Sequence, residues 1–165
     1  RDVTEKHGGT YTAAAVGEVN VVTAMKSQNA VIGGEGNGGI IYPESHYGRD
    51  ALVGTALFLM LLSETGLSVS ALKKTYPGYH MGKKKIQLTP DLDVDGLLQR
   101  MADKYREEPL TEVDGVKIDF KEGWVHMRKS NTEPIIRIYS EAKSLDKANE
   151  LADAIIAEIK AITNK

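Results

Sequence analysis

The stretch from Arg128 to Pro134 reads RKSNTEP. Recognition of a phosphate needs charge and directed donors together. Arg128 supplies a planar fork able to grip two phosphate oxygens. Ser130, Asn131 and Thr132 add side-chain donors, and a curled loop also aims backbone N–H groups inward. Pro134 fixes the exit into an apolar segment, and Arg137 flanks the stretch on its far side. The chemistry on offer is the binding of an anion. The same residues also fit an ordinary polar hairpin, because Ser, Asn and Pro are common in turns.

A second constellation runs from Gly33 to Asp50, GGEGNGGIIYPESHYGRD. Glycines at 33, 34, 36, 38 and 39 let the backbone come very close to a ligand. Within that glycine patch two side chains can act, Glu35 and Asn37. A carboxylate that accepts and an amide that both donates and accepts suit sugar hydroxyls. The order GEGNGG is not a dinucleotide-binding signature, since no strand–helix–strand unit with a correctly spaced acid continues from it. A flexible turn with incidental polar residues fits it as well. Glu18, after Gly17, is a third candidate. At the start of a helix it also simply favours the helix dipole.

The other reactive side chains assign less. The four histidines do not pair at metal-ligand spacing and cysteine is absent, so no metal site is expected in this chain. His46 lies beside the glycine segment and could face a ligand, whereas His126 alternates within a strand and reads as structural. Lys83-Lys84-Lys85 reads as the solvated edge of an extended segment and lacks the interleaved aromatics of a nucleic-acid binder. DLDVD, Asp91 to Asp95, has the look of an acidic metal loop, but it leads into a helix and reads as its N-terminal cap.

The elements that must position these groups divide in two. With 165 residues, 41% hydrophobic and 27% charged, the chain fits one medium domain or two small ones. A net charge of -2 gives no basic field for nucleic acid or an anionic membrane. The apolar run Ala51–Leu62 is too short to span a bilayer, which takes roughly 20 residues, and reads as a buried core helix. The absence of cysteine makes the cytoplasm the simplest location. The chain opens RDVTEKHGG, without Met, which reads as the last turns of a helix ended by glycine. A piece of a longer protein is the expectation.

In the first half, residues 1–85, TYTAAAV is expected as a strand, GEVNVVTAMKSQ as a helix and NAVIGGE as a buried strand entering a loop. GIIYP follows as an extended piece, then a long helix over residues 49–65 closed by Gly66, and a short helix from Ser68 or Ser70 to Pro77. This alternation predicts an α/β unit. The long helix must pack on a sheet only partly present, leaving an exposed apolar face. In residues 86–165 an amphipathic helix carries Leu97, Leu98 and Met101. EVDGVKIDF, GWVHMRK and PIIRIYSEA then form an antiparallel meander turning at Asp114-Gly115 and Glu122-Gly123. A last amphipathic helix starts after Ser144. This half predicts an α+β unit with helices on one sheet face.

Taken together, these motifs resemble the α-D-phosphohexomutase superfamily, in its phosphoglucomutase/phosphomannomutase branch. GEGNGG resembles that family's third-domain sugar-binding loop, and RKSNTEP resembles the phosphate loop of its fourth domain. Their order and separation match over nearly the whole chain. The resemblance implies a partial α/β third domain followed by a TATA-binding-protein-like α+β C-terminal domain. It implies a cytoplasmic enzyme that moves phosphate reversibly between O1 and O6 of a hexose. The route runs through a phosphoserine and a bisphosphorylated sugar, with hexose 1,6-bisphosphate as activator. The phosphoserine and a Mg²⁺ bound by an Asp-rich loop belong to N-terminal domains that this chain does not contain. No catalytic residue is therefore expected here, and the fragment alone is expected to be inactive. Its implied partners are a phosphorylated hexose and those N-terminal domains, with neither nucleic acid nor membrane.

Carried over by position, Glu35 and Asn37 bind the sugar O3 and O4, with Glu18 nearby. Arg128, Ser130, Asn131 and Thr132 bind phosphate. Two positions depart from the pattern. Many members have Ser at Asn37 and His at Gly39, so the hexose preference is open among glucose, mannose and glucosamine. SNTEP is closer to phosphoglucomutase/phosphomannomutase than to phosphoglucosamine mutase, in which Gly usually replaces Asn131. A phosphoglucosamine mutase fragment and a non-catalytic phosphosugar-binding module are the alternatives. An upstream reading frame encoding a phosphoserine loop would exclude the module.

Overall fold

The computed structural model describes residues 1–88, 92–130 and 132–163 of the chain. Asn131, Asp91 and Pro90 lie outside them. Chain contacts divide it into two units, Arg1–Pro77 and Gly78–Lys165.

The first unit opens with α1 (Asp2–Lys6), ended by Gly8 at φ +72°, and continues with α2 (Glu18–Gln28). Two short strands, β1 (Gly33–Glu35) and β2 (Gly39–Ile41), pair antiparallel, and α3 (Ala51–Thr65) and α4 (Val69–Lys74) follow. The ends follow from sequence. Asp50 caps α3 by accepting from the Leu52 and Val53 N–H groups, Gly66 closes it at φ 64°, and Ser68 caps α4. α2 lies on β1 and α3 on β2.

Three expectations for this unit change. TYTAAAV is not a strand: among the described residues it pairs with no other strand, and residue composition cannot replace a ladder. The strand expected across NAVIGGE shrinks to Gly33–Glu35, with Val31 and Ile32 exposed. The helix expected in a core, α3, has no buried residue, while the exposed apolar face expected of it is present. Leu52, Phe58, Leu59, Met60 and Leu61 are all exposed, because two three-residue strands offer a small surface to cover a long apolar helix.

The second unit contains β3 (His80–Gln87), α5 (Val94–Lys104), β4 (Leu110–Thr111), β5 (Val116–Phe120), β6 (Gly123–Lys129), β7 (Ile135–Ala142) and α6 (Leu145–Thr163). The strands form one antiparallel sheet in the order β3-β7-β6-β5-β4. The expected division after residue 85 falls within β3, whose ladder runs from His80↔Ala142 to Gln87↔Ile135. Its lysine run, read as the solvated edge of an extended segment, lies in the edge strand of the sheet, with one face open. β4 is too short to announce itself in sequence.

Alternation also builds the core. Val116, Ile118, Val125, Met127, Ile136 and Ile138 point to one face and close with Leu97, Leu98 and Met101 of α5 and Ala152, Ile155 and Ile159 of α6. Both helices therefore cover the same face, as the sequence predicts. Asp93 caps α5 through the Gly96 N–H (2.9 Å), and the Ser144 hydroxyl accepts from the Lys147 N–H (3.2 Å). Gly115 holds φ +77° in the turn before β5. A Cβ there would lie 2.2 Å from the Met127 carbonyl oxygen, so glycine is required twice over.

Tyr105 joins the two helices. Its hydroxyl donates to Glu158 (2.9 Å) and its ring meets Phe120 edge-on at 5.5 Å. Burial, then the Glu158 hydrogen bond, push its phenol up to about 12 from 10.0. A raised phenol favours the protonated folded state. The stability it contributes is complete below pH about 10 and is lost as pH rises towards about 12. Ultraviolet titration should show a late tyrosine phase near pH 12, and Tyr105→Phe should remove that phase.

Candidate functional site

In the first unit the glycine segment is a hairpin. Glu35 and Gly39 are register partners, and Gly36, Asn37 and Gly38 make the turn. Gly38 stands at φ +98° and donates to the Glu35 carbonyl (3.0 Å). The Asn37 Oδ1 accepts from the Gly39 N–H (3.1 Å), which locks the amide over the turn. A Cβ on Gly34 would sit 2.2 Å from the Gly39 carbonyl oxygen, so the two strands close only with glycine there.

Glu18 is the first residue of α2, after Gly17 at φ 119°. Its carboxylate takes the Arg49 Nε at 2.8 Å, and the Arg49 Nη1 lies 3.6 Å from Glu35 Oε2. Two candidates read separately from the sequence thus meet at one cation. Sequence reasoning missed Arg49, because a residue just before a helix cap has no spacing rule linking it to a glycine hairpin. Its position is nonetheless well fixed. The neighbouring Asp50 donates its N–H to the Ile40 carbonyl (2.8 Å) and caps α3 with its side chain.

His46 completes that cap. Its Nδ1 accepts from the Gly48 N–H (2.9 Å), so Nε2 is the donor to Asp50 Oδ2 (3.0 Å). The hydrogen bond from the Val53 N–H, followed by that from His46, holds the Asp50 carboxyl below its ordinary value. His126 is structural, with Nε2 on the Asp114 carbonyl.

In the second unit the phosphate candidates gather at one end of the open sheet face. Arg128 on β6 stands opposite Arg137 on β7, and Arg137 stands opposite Lys85 on β3. Opposed residues share a face, so three cations form a row. The Arg128 Nη1 lies 3.3 Å from Asp114. The Ser130 hydroxyl, buried beside the row, lies 3.4 Å from both the Thr132 N–H and the Arg137 Nη2. Arg137 also reaches Glu133 (3.3 Å), while its Nε is buried without a hydrogen-bond partner among the described residues. Asn131, the remaining candidate, lies outside the described residues. Among the described residues, no group of three His, Cys, Asp or Glu is placed to hold a metal ion, and no helix is long and apolar enough to cross a membrane.

Known proteins match this pattern of two units. The family model "Phosphoglucomutase/phosphomannomutase, alpha/beta/alpha domain III" matches residues 1–79. The model "Phosphoglucomutase/phosphomannomutase, C-terminal domain" matches residues 84–158. A phosphoglucomutase/phosphomannomutase of Thermococcus kodakarensis is 37% identical over 90% of this chain and 33% of its own length. A phosphoglucosamine/phosphogalactosamine mutase of Sulfurisphaera tokodaii is 38% identical over 85% of this chain and 31% of its own. The chain thus spans about a third of the curated relatives it matches. The fold is shared with a crystal structure of a phosphoglucomutase/phosphomannomutase family protein from Burkholderia thailandensis. That match has a TM-score of 0.76 at 21% identity, over 98% of this chain and 35% of the other. With both domain models matched in order and between them spanning nearly its whole length, the chain belongs to the phosphoglucomutase/phosphomannomutase family, as its domain III followed by its C-terminal domain.

Proposed function

We propose that this chain supplies the sugar- and phosphate-recognition parts of a phosphohexomutase interconverting hexose 1-phosphate and hexose 6-phosphate. The observation that carries the reading is the row Lys85, Arg137, Arg128 beside Ser130 and Thr132. Like charges in register cost folding free energy. A phosphate dianion offsets that cost, and charged donors make its strongest hydrogen bonds.

In this reading Arg128, Ser130, Asn131 and Thr132 hold the phosphate that is not reacting. The same clamp serves either end of hexose 1,6-bisphosphate. Glu35, Asn37 and Glu18 read sugar hydroxyls in the first unit. The described residues contain no cluster that fits Mg²⁺. The metal and the phosphoserine are assigned to other domains of the enzyme, and no step is attributed to this chain beyond binding and orientation. It should not convert glucose 1-phosphate alone. The aminosugar reading stays second, favoured by the relative named for phosphoglucosamine and phosphogalactosamine.

An NMR titration tests the reading. Inorganic phosphate should shift residues 128–132 alone. Glucose 6-phosphate should shift these and also Glu35 and Asn37, whereas glucosamine 6-phosphate binding more tightly would select the aminosugar. Residues 128–132 unmoved by millimolar phosphate would sink the clamp.

A further inference from the structure

We propose that Arg49 contacts the substrate and sets which hexose the glycine hairpin accepts. This rests on the sugar reading of that hairpin. Arg49 is the most exposed member of its cluster: its side chain is 49% exposed, against 35% for Glu18 and 15% for Glu35. Nε and Nη1 are committed to the two carboxylates. The Nη2 donors have no partner among the described residues, and neither do the Oε1 atoms of Glu18 and Glu35. With Oδ1 of Asn37 held by the Gly39 N–H, its amide NH₂ is the group left to donate. The hairpin therefore presents a guanidinium edge and an amide as donors, with two carboxylate oxygens as acceptors. Adjacent ring hydroxyls, each donor and acceptor at once, complement that set.

Gly39 gives the arrangement its selectivity. A Cβ at residue 39 would lie 2.7 Å from Arg49 Cδ and 3.2 Å from Cγ. Any side chain at 39 and the present position of Arg49 exclude each other. The same Cβ would be 3.4 Å from Asn37 Oδ1, so Arg49 fills a position beside the sugar-reading amide. Arg49 thus takes over the space a longer residue 39 would use to touch the ring. On the sugar reading of the hairpin, in which Glu35 and Asn37 take O3 and O4, Arg49 would face that same edge of the ring.

The test compares D-glucose 6-phosphate with its C4 epimer, D-galactose 6-phosphate. Dissociation constants come from NMR shifts of residues 35–39 in the wild-type chain, Arg49→Ala and Gly39→Ala. The second variant displaces Arg49 while keeping its charge, and so covers the case in which the first fails to fold. The wild type should separate the epimers, and both variants should reduce that ratio by roughly tenfold. The response of residues 128–132 to inorganic phosphate should stay unchanged. Equal affinity for the epimers in the wild type, or an unchanged ratio in the variants, overturns the proposal and leaves Arg49 as a tie between α2 and the hairpin. Residues 35–39 silent to both sugars in the wild type would instead remove the sugar reading itself, and this proposal with it.

Discussion

Arg128→Ala is expected to weaken phosphate-monoester binding by about 2–3 kcal/mol, roughly 30- to 150-fold, because it removes charge-assisted bonds to an anion. The folded unit should hardly notice. Arg128 loses an ion pair with Asp114 at 3.3 Å, which contributes about 0.5–1 kcal/mol in a half-buried setting. The same change relieves repulsion from Arg137 directly opposite, a term of about the same size and opposite sign. Calorimetric titration with phosphate and a thermal scan of the same sample separate the two quantities. Arg128→Lys should fall between, keeping charge and losing the fork. Unaltered binding together with a large fall in melting temperature would make Arg128 a strut of the β6 end, not a ligand.

The largest stability effect should come from Ile138→Ala. Ile138 is fully buried in the middle of β7, between the sheet and its helices. Truncation leaves a cavity in a packed layer and costs about 3–4 kcal/mol. For a unit of this size that lowers the melting temperature by roughly 15–25 °C. Leu59→Ala removes a similar amount of apolar surface from α3, where Leu59 is 58% exposed. Its expected effect on stability is within about 0.5 kcal/mol. What it should change is self-association, read by sedimentation velocity as a shift towards monomer. A Leu59→Ala variant that melts as early as Ile138→Ala would mean that α3 is covered in solution.

Legibility tracked the kind of interaction. Wherever one residue type acts locally, the sequence was readable. Ser68, Asp93 and Ser144 mark their helix starts, Gly66 marks an end, and Gly115 marks a turn, whereas the cap at Asp50 lay unread inside a helix expected from residue 49. The meander of β5, β6 and β7 and the apolar faces of the two helices were legible, while the strand residues that enter the core came from the structure. Where a partner far along the chain decides, sequence failed. TYTAAAV has strand-forming residues but no strand beside it among the described residues, and the division placed after residue 85 cut β3, because its partner β7 lies some fifty residues further along. At the candidate site, the arginine fork and the serine beside it were visible as a motif. The row they share with Lys85 needed the register of three strands, and the meeting of Glu18 with Glu35 needed Arg49, 31 residues beyond Glu18.

β3 is the long border of the second sheet, and eight residues of its outer ladder have no strand beside them among the described residues. An open border of that length is a template on which another chain could extend the ladder and begin a fibril. Lys83, Lys84 and Lys85 sit in the middle of it, and only Lys84 turns inward, to an ion pair with Asp153. Two copies meeting edge to edge in antiparallel register would bring these ammonium groups against each other. Charge at such a border disfavours edge-to-edge stacking of copies. One of these lysines, Lys85, also stands in the cationic row.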